Sequence, residues 1–219
     1  MSSPPTLLGA LKPWSTWGKF NQVSFVIQQL LGKVQTATLV QVKSCTNEGG
    51  VSPFGFVDVV PLVNQINGDG TAQPHTTIFN VPYLRLQGGA NAVILDPQEG
   101  DIGICIFASK DISNVKSTQA QANPASARVF DYSDGLYLGG LLNGIPEQYI
   151  QFGSGGITIV SPTAITLNAP QINLQGPVTQ TGGMMTSDTD VQAGSSNISL
   201  VMHKHTSESP GSPTSEPLP

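Results

Sequence analysis

A short repeat in the last third of the chain limits what this sequence can fold into more than any other feature. Three successive units share the order isoleucine, any residue, an aliphatic residue, any two residues, proline. They span residues 157–162, 165–170 and 172–177. Because alternate side chains of a strand share a face, each unit is predicted to be one short strand with an apolar face and a Thr- or Asn-bearing face. Proline then ends the strand, since it cannot donate to the ladder.

The length of this repeat predicts that several chains build the region together. A solenoid in which one chain closes each turn needs roughly 20 or more residues per repeat. Seven or eight residues supply only one wall, so the apolar face must meet equivalent strands from other chains. We predict an intertwined, trimeric triple-stranded β-helix over residues 145–205, with a central column of Ile and Leu and with strand edges paired between subunits.

Charge is scarce in this chain. Charged residues make up 11% of the sequence, and none lies between residues 148 and 187. The net charge is −5 and the few Lys and Arg are scattered, which argues against nucleic acid as a partner. No apolar run approaches the ~20 residues of a membrane span, and the first residues lack the pattern of a signal peptide.

Residues 36–144 are predicted to form a mainly β barrel. Stretches rich in apolar and β-branched residues alternate with turn signals, of which Asn67–Gly70 and Pro97–Gly100 are the clearest. Strands are predicted at 38–43, 54–60, 76–83, 92–95 and 102–108. Five or six short strands in about a hundred residues favour an OB-fold. Residues 113–127 are predicted to be a long loop. Cys45 and Cys105 are interpreted as buried, unbridged thiols of a protein made in the cytoplasm.

Residues 1–35 are predicted to be a tail followed by a short helix. Ser15 or Thr16 is the expected N-cap, and Gly32 lies near the expected end. Apolar side chains recur at helical spacing at Phe20, Val23, Ile27, Leu30, Leu31 and Val34. Two interpretations stay open: the helix packs on its own domain, or, with exposed Trp14 and Trp17, it docks another protein.

Two histidines near the C-terminus, His203 and His205, indicate a metal site. In a strand they share one face, while Lys204 points the opposite way. A single pair is usually incidental, but a trimer brings six imidazoles around one axis. Six nitrogen ligands imply an octahedral ion, which favours Fe(II) or Ni over zinc with its usual four ligands.

We predict no strong ligand-binding or catalytic role for the remaining polar residues. His75 is expected to be a surface side chain, and Asp188 and Asp190 make only a weak calcium site. No nucleophile elbow, phosphate loop or zinc-protease motif is present, so an enzyme is not expected. Three carboxylates are interpreted as turn residues: Asp96, Glu99 and Asp101.

Five stretches of the sequence resemble one known family. Asp190–Gly194, Ile198–Leu200 and His203–His205 are similar to the tip of the central spike of contractile phage tails. The resemblance is to the membrane-puncturing spikes that carry an OB-fold ahead of a triple-stranded β-helix. Gly100–Gly103 and Lys110–Ser113 resemble the barrel domain of those spikes.

The resemblance implies a homotrimer in the tail baseplate of the virion, whose six tip histidines hold one iron ion. It implies a needle that is driven through the bacterial outer membrane when the sheath contracts. A tail hub or baseplate protein is expected to hold the N-terminal part and the barrel. Residues 206–219 depart from the family pattern and, being rich in Pro and Ser, are expected to form an extended tail, either disordered or folded back along the tip.

Two other functions compete with this structural, non-enzymatic one. A trimeric receptor-binding tail fibre or adhesin is also β-rich, but it predicts an aromatic or carbohydrate-binding tip, and aromatic residues are only 6% of the chain. A wall-degrading enzyme attached to a spike would need a catalytic constellation, and the sequence contains none.

Overall fold

The computed structural model describes residues 13–67, 70–194 and 197–202. They fall into two compact units, the first ending at Tyr149 and the second beginning at Ile150. The described chain is mainly β, and a curled half-barrel sheet dominates the first unit.

The regular elements of the described chain are short strands, two α-helices and two 3-10 turns. The helices are a 3-10 turn at Pro13–Thr16, α1 at Gly18–Leu31, α2 at Ser113–Thr118 and a second 3-10 turn at Tyr132–Asp134. The strands of the first unit are β1 (Ala37–Cys45), β2 (Phe56–Pro61), β3 (Gln65–Ile66), β4 (Ala72–Gln73), β5 (Ile78–Pro82), β6 (Leu86–Gly88), β7 (Asn91–Val93), β8 (Ile102–Phe107) and β9 (Gly135–Gly140). The remaining strands are β10 (Tyr149–Gly153), β11 (Gly156–Val160), β12 (Gln192–Ala193) and β13 (Ile198–Ser199).

The curled sheet has the strand order β5-β2-β1-β8-β9, and its neighbouring strands run antiparallel. A register shift between Val42 and Ser44 marks a bulge in β1, a feature that bends a strand and increases its twist. The two edges of the sheet meet just past β5. There Tyr83 forms a parallel bridge with Tyr137, and the N–H of Leu84 donates to the Tyr137 carbonyl at 2.7 Å.

The core of the first unit is formed mainly by one face of this sheet. In β2 and β8 every second residue is buried, which is the period expected of a strand with one covered face. The buried apolar side chains are Val40, Val42, Val57, Val59, Val81, Tyr83, Cys105, Phe107 and Tyr137. The valine-rich composition of β1 and β2 therefore reflects packing, because β-branched side chains suit a pleated, half-buried surface.

The N-terminal helix was predicted correctly, but its N-cap was not. Ser15 and Thr16 belong to the 3-10 turn, and Trp17 takes the N-cap position without a side-chain hydrogen bond to the helix. Gly32 is the C-cap residue, with a right-handed φ of −63°. The 3-10 turn before α1 therefore contains the two residues that the capping pattern had assigned to the start of the helix.

The predicted strands at 38–43, 54–60, 76–83, 92–95 and 102–108 are confirmed as β1, β2, β5, β7 and β8. The prediction of an uninterrupted loop over residues 113–127 is wrong, because α2 begins at Ser113. The Asp111 carboxylate accepts the Ser113 N–H at 2.9 Å and organises this helix start. Gln119, with a left-handed φ of 53°, ends the helix after less than two turns.

Candidate functional site

The predicted metal ligands, His203 and His205, lie outside the described residues, as does the Pro- and Ser-rich segment 206–219. The structure describes the chain that leads to them as far as Met202. Within the described ranges there is no group of three or more His, Cys, Asp or Glu side chains that could hold a metal ion. The histidine site, which draws ligands from several chains, stays a prediction.

A small hairpin precedes the histidine pair. β12 and β13 pair antiparallel, with Gln192 opposite Ser199. The turn between them uses left-handed backbone at Gly194 (φ 72°) and at Asn197 (φ 49°). The N–H of Asn197 donates to the Gly194 carbonyl at 3.2 Å. Gly and Asn tolerate this conformation best, so the local sequence suits the turn.

Asp190 ties the two ends of this hairpin together. Its carboxylate accepts the N–H of Val201 at 3.2 Å. A hydrogen bond from the Ser199 hydroxyl lowers the pKa of Asp190, and backbone N–H groups add to that effect. The N–H of Leu200 donates to the Val191 carbonyl at 2.9 Å. The chain therefore enters the histidine pair from a hydrogen-bonded hairpin. Asp190, which was expected to be at most a weak calcium ligand, therefore links the two ends of the hairpin through hydrogen bonds to its carboxylate.

The repeat exposes its apolar side chains in the single protomer. Only its first unit forms a strand, β11, which pairs with β10. Residues 161–191 contain no strand or bridge. The apolar side chains of the second and third units are 49–68% exposed: Ile165, Leu167, Ile172 and Leu174. An apolar segment of this kind, without charge, is typical of a surface that another chain covers.

A buried ion pair lies in the first unit, between Arg85 and Asp96. Their side chains are 3% and 1% exposed, and Nη2 of Arg85 is 3.1 Å from Oδ1 of Asp96. The Tyr83 hydroxyl donates to the same oxygen at 2.5 Å, and the Gly49 N–H donates to Oδ2 at 2.9 Å. Burial and the hydrogen bond to Asp96 raise the pKa of Tyr83 to about 12. Burial alone would raise the pKa of Asp96, but the hydrogen bonds from Tyr83 and Gly49 and the charge of Arg85 outweigh it and lower that pKa.

This ion pair holds the loop between β1 and β2. Arg85 also donates to the carbonyl oxygens of Ser52 and, at 3.2 Å, of Gly50. The interpretation of Asp96 as a turn residue is therefore wrong. Asp101 does act as a turn residue, since its carboxylate accepts the Gln98 N–H at 2.9 Å. The sequence signal that could have revealed the pair is Arg85 itself, a cation inside the otherwise uncharged stretch 76–95.

A second ionic cluster fixes the segment before β9. Arg128 lies between two carboxylates, 3.0 Å from Asp111 and 3.2 Å from Asp134. The Ser126 hydroxyl donates to Asp111 at 2.6 Å. Hydrogen bonds from Ser113 and Ser126 hold the pKa of Asp111 well below its usual range. The motif that resembled the spike barrels, Lys110–Ser113, thus contributes a structural carboxylate here.

A groove of about 660 Å³ opens beside the Arg85 pair. Two buried polar atoms of its lining residues, Nε of Arg85 and the phenol oxygen of Tyr137, have no hydrogen-bond partner among the described residues. Most of its lining is apolar and includes Leu84, Leu86, Val93, Leu95, Leu138 and Ile145. Its polar lining residues include Arg85, Asp96, Gln98, Asp101, Tyr137 and Asn143.

His75 contacts neighbouring residues of the first unit, and the two cysteines are unbridged. Nε2 of His75 lies 3.0 Å from the Val63 carbonyl, and its ring meets Tyr132 edge-on at 5.2 Å. Cys45 and Cys105 are both free, which confirms that they are not bridged. Cys105 is fully buried and Cys45 only partly. Burial raises the pKa of the Cys105 thiol to about 11, so it stays protonated and inert at neutral pH.

No family model and no curated protein matches this chain. Among the described helices, none is long and apolar enough to cross a membrane.

Proposed function

We propose that three copies of this chain form the central spike of a contractile phage-tail baseplate, which pierces the bacterial outer membrane when the sheath contracts. One observation carries this proposal: the repeat of the second unit leaves its Ile and Leu side chains exposed in the protomer and has no strand partner over residues 161–191. A repeat of seven or eight residues is too short for one chain to close. Three copies would bury these side chains in a common column.

The first unit supports an OB-fold barrel as the base of the spike. An OB-fold is a five-stranded, partly open barrel. The order β5-β2-β1-β8-β9, with a parallel contact between the two edges at Tyr83 and Tyr137, suits such a barrel. In the assembled virion, a tail hub or baseplate protein would bind the barrel and the N-terminal part.

Iron is the metal proposed for the tip. Three copies of His203 and His205 supply six imidazoles, a donor set that suits Fe(II) or Ni better than four-coordinate zinc. The chain reaches these residues from the hairpin that Asp190 holds. A metal ion shared by three chains would link ends that otherwise fray, and so would stiffen the point.

The composition of the second unit suits passage through a membrane. The outward faces of the repeat carry Thr, Asn and Gln, and no charged residue lies between residues 148 and 187. Such a rod has little charge to desolvate in lipid, and its apolar side chains are already covered in the trimer. The contracting sheath would supply the energy.

Mass and metal content of the purified full chain test the proposal. Light scattering should give three times 22.9 kDa, and elemental analysis should find one iron per three chains. The double variant His203→Ala, His205→Ala should lose the iron, whereas His75→Ala should keep it. A metal-free, monomeric wild-type protein would contradict the proposal. On virus particles, labelled chains should lie on the tail axis, and a peripheral position would favour a receptor-binding fibre instead.

A further inference from the structure

The chain turns between β13 and the histidine pair. β13 ends at Ser199, and residues 200–202 form a turn that does not continue the strand. Met202, the last residue of this turn, is bonded covalently to His203. The direction in which the chain leaves the turn therefore sets where the backbone of the first histidine begins.

Two polar side chains hold the last two residues of this turn. The Asp190 carboxylate accepts the N–H of Val201 at 3.2 Å, and the Ser199 hydroxyl oxygen accepts the N–H of Met202 at 2.7 Å. The Ser199 hydroxyl in turn donates to Asp190. Because a hydroxyl both donates and accepts, whereas an ionised carboxylate only accepts, these bonds connect the turn to the start of the hairpin in one network.

The two residues are also the best covered part of this hairpin. Among the described residues 187–194 and 197–202, Asp190 and Ser199 are half-buried and the others are exposed. The apolar side chains that surround the turn are 59–75% exposed in the protomer: Ile198, Leu200, Val201 and Met202. Within one protomer, hydrogen bonds to this polar pair therefore shape the turn more than apolar packing does.

We propose that Asp190 is a positioning residue for the metal ligands His203 and His205. It acts indirectly, by fixing the backbone at Val201, two residues before the first imidazole. Ligands that are held in place before the metal binds lose less freedom on binding it, which increases affinity. The inference rests on the proposed iron tip, because it needs these histidines to bind an ion shared by three chains.

Iron affinity of the full-length protein tests this role. Asp190→Asn keeps the size of the side chain but replaces an acceptor-only carboxylate with an amide that also donates. We expect its affinity for Fe(II), measured by competition with the chelator bipyridine, to fall about 10- to 100-fold, as is typical when a residue that orients metal ligands is replaced. Asp188→Asn is the matched control, since it removes the same charge from an exposed residue two positions earlier. The control should keep the wild-type affinity, and light scattering should show trimers for both variants.

A metal-free measurement reports the turn by itself. In the double histidine-to-alanine variant, hydrogen exchange of peptides that cover residues 197–202 is followed by mass spectrometry. Asp190→Asn and Ser199→Ala should both speed this exchange, whereas Asp188→Asn should not. Ser199→Ala should also weaken iron binding when the histidines are present, and its affinity decides the question if Asp190→Asn does not assemble.

The outcomes separate this inference from the function on which it rests. A wild-type trimer without iron would overturn the iron tip, and the positioning role with it. An iron-loaded wild type with unchanged affinity in both Asp190→Asn and Ser199→Ala would overturn the positioning role alone. Faster exchange without weaker iron binding would show a purely structural link and would overturn it as well. Weaker iron binding without faster exchange would mean that Asp190 does not act through the turn, which also contradicts the proposal.

Discussion

Arg85 and Asp96 form an ion pair at 3.1 Å from which solvent is almost wholly excluded. The pair links the segment after β5 to the segment before β8. Arg85 also donates hydrogen bonds to the Gly50 and Ser52 carbonyls, which hold the loop after β1 in place. Removing one member of a buried pair leaves an uncompensated charge, which costs more than the pair contributes. The stability of the first unit should therefore depend strongly on both members of this pair.

Replacing Asp96 should destabilise the first unit strongly. Asp96→Asn leaves the Arg85 charge buried without its counterion, and we expect the free energy of unfolding to fall by about 3 kcal/mol. Urea denaturation followed by circular dichroism measures this change. Glu99→Gln removes the same charge from an exposed position three residues later and should cost less than about 0.5 kcal/mol. Equal losses in the two variants would show that the ion pair is not the cause.

Acid should weaken the wild-type protein more steeply than Asp96→Asn. The folded pKa of Asp96 is lowered, so the ionised carboxyl favours the folded state. This stability is fully present above the unfolded pKa, about 3.9, and is lost as pH falls through the folded pKa. Thermal melts between about pH 6 and pH 3 should show a shallower decline for the variant, with the rest due to groups such as Asp111. Parallel curves would contradict this account.

A methyl group at Gly103 should disturb the packing of β8 against β9. A Cβ at this position would lie 2.3 Å from both the Gly139 carbonyl oxygen and the Tyr137 phenol oxygen. Gly103→Ala should therefore cost about 1–3 kcal/mol through overpacking. Gly144→Ala is the control, because a Cβ there has no atom within 4 Å. A calorimetric Tm for Gly103→Ala equal to that of the control would refute the close packing.

Charge on the inner face of the repeat should prevent assembly. Leu167 and Thr166 are both exposed in the protomer, but strand alternation places them on opposite faces. Leu167→Asp would bring three carboxylates into the proposed column, whereas Thr166→Asp would leave them outside. Light scattering should show loss of the trimer for Leu167→Asp only. Trimers in both variants would contradict a shared apolar column.

Mild acid should release the proposed iron. Imidazole binds a metal ion only when neutral, and an unperturbed histidine has a pKa near 6.5. Iron bound after dialysis at about pH 7 should therefore be lost after dialysis below about pH 6. Elemental analysis of both samples measures the change. Iron that stays bound well below that pH would contradict this prediction.

Several strands were predictable because their signals are local. Val40 and Val42, like Val57 and Val59, alternate with less buried neighbours, and this period alone predicts a strand with one covered face. The Arg85 pair was not predictable in this way. Its partner lies eleven residues away, beyond the hairpin of β6 and β7, and burial of both charges depends on the loop after β1.

The helix ends show how local signals compete. Ser15, Thr16 and Asp111 are all good capping residues, but a 3-10 turn took up the first two and the third starts α2. Capping preferences are short-range, and the choice between neighbouring caps depends on the packing around them.

By itself, the sequence determined a mainly β chain with a repeat too short for one chain to close, because side-chain period and proline spacing act over a few residues. It also determined the apolar stripe of α1. The tertiary structure decided which charges are buried: the carboxylates of Asp96 and Asp111 became the partners of Arg85 and Arg128. The paired residues lie on either side of the β6–β7 hairpin and of α2, so only the folded chain brings them within hydrogen-bonding distance.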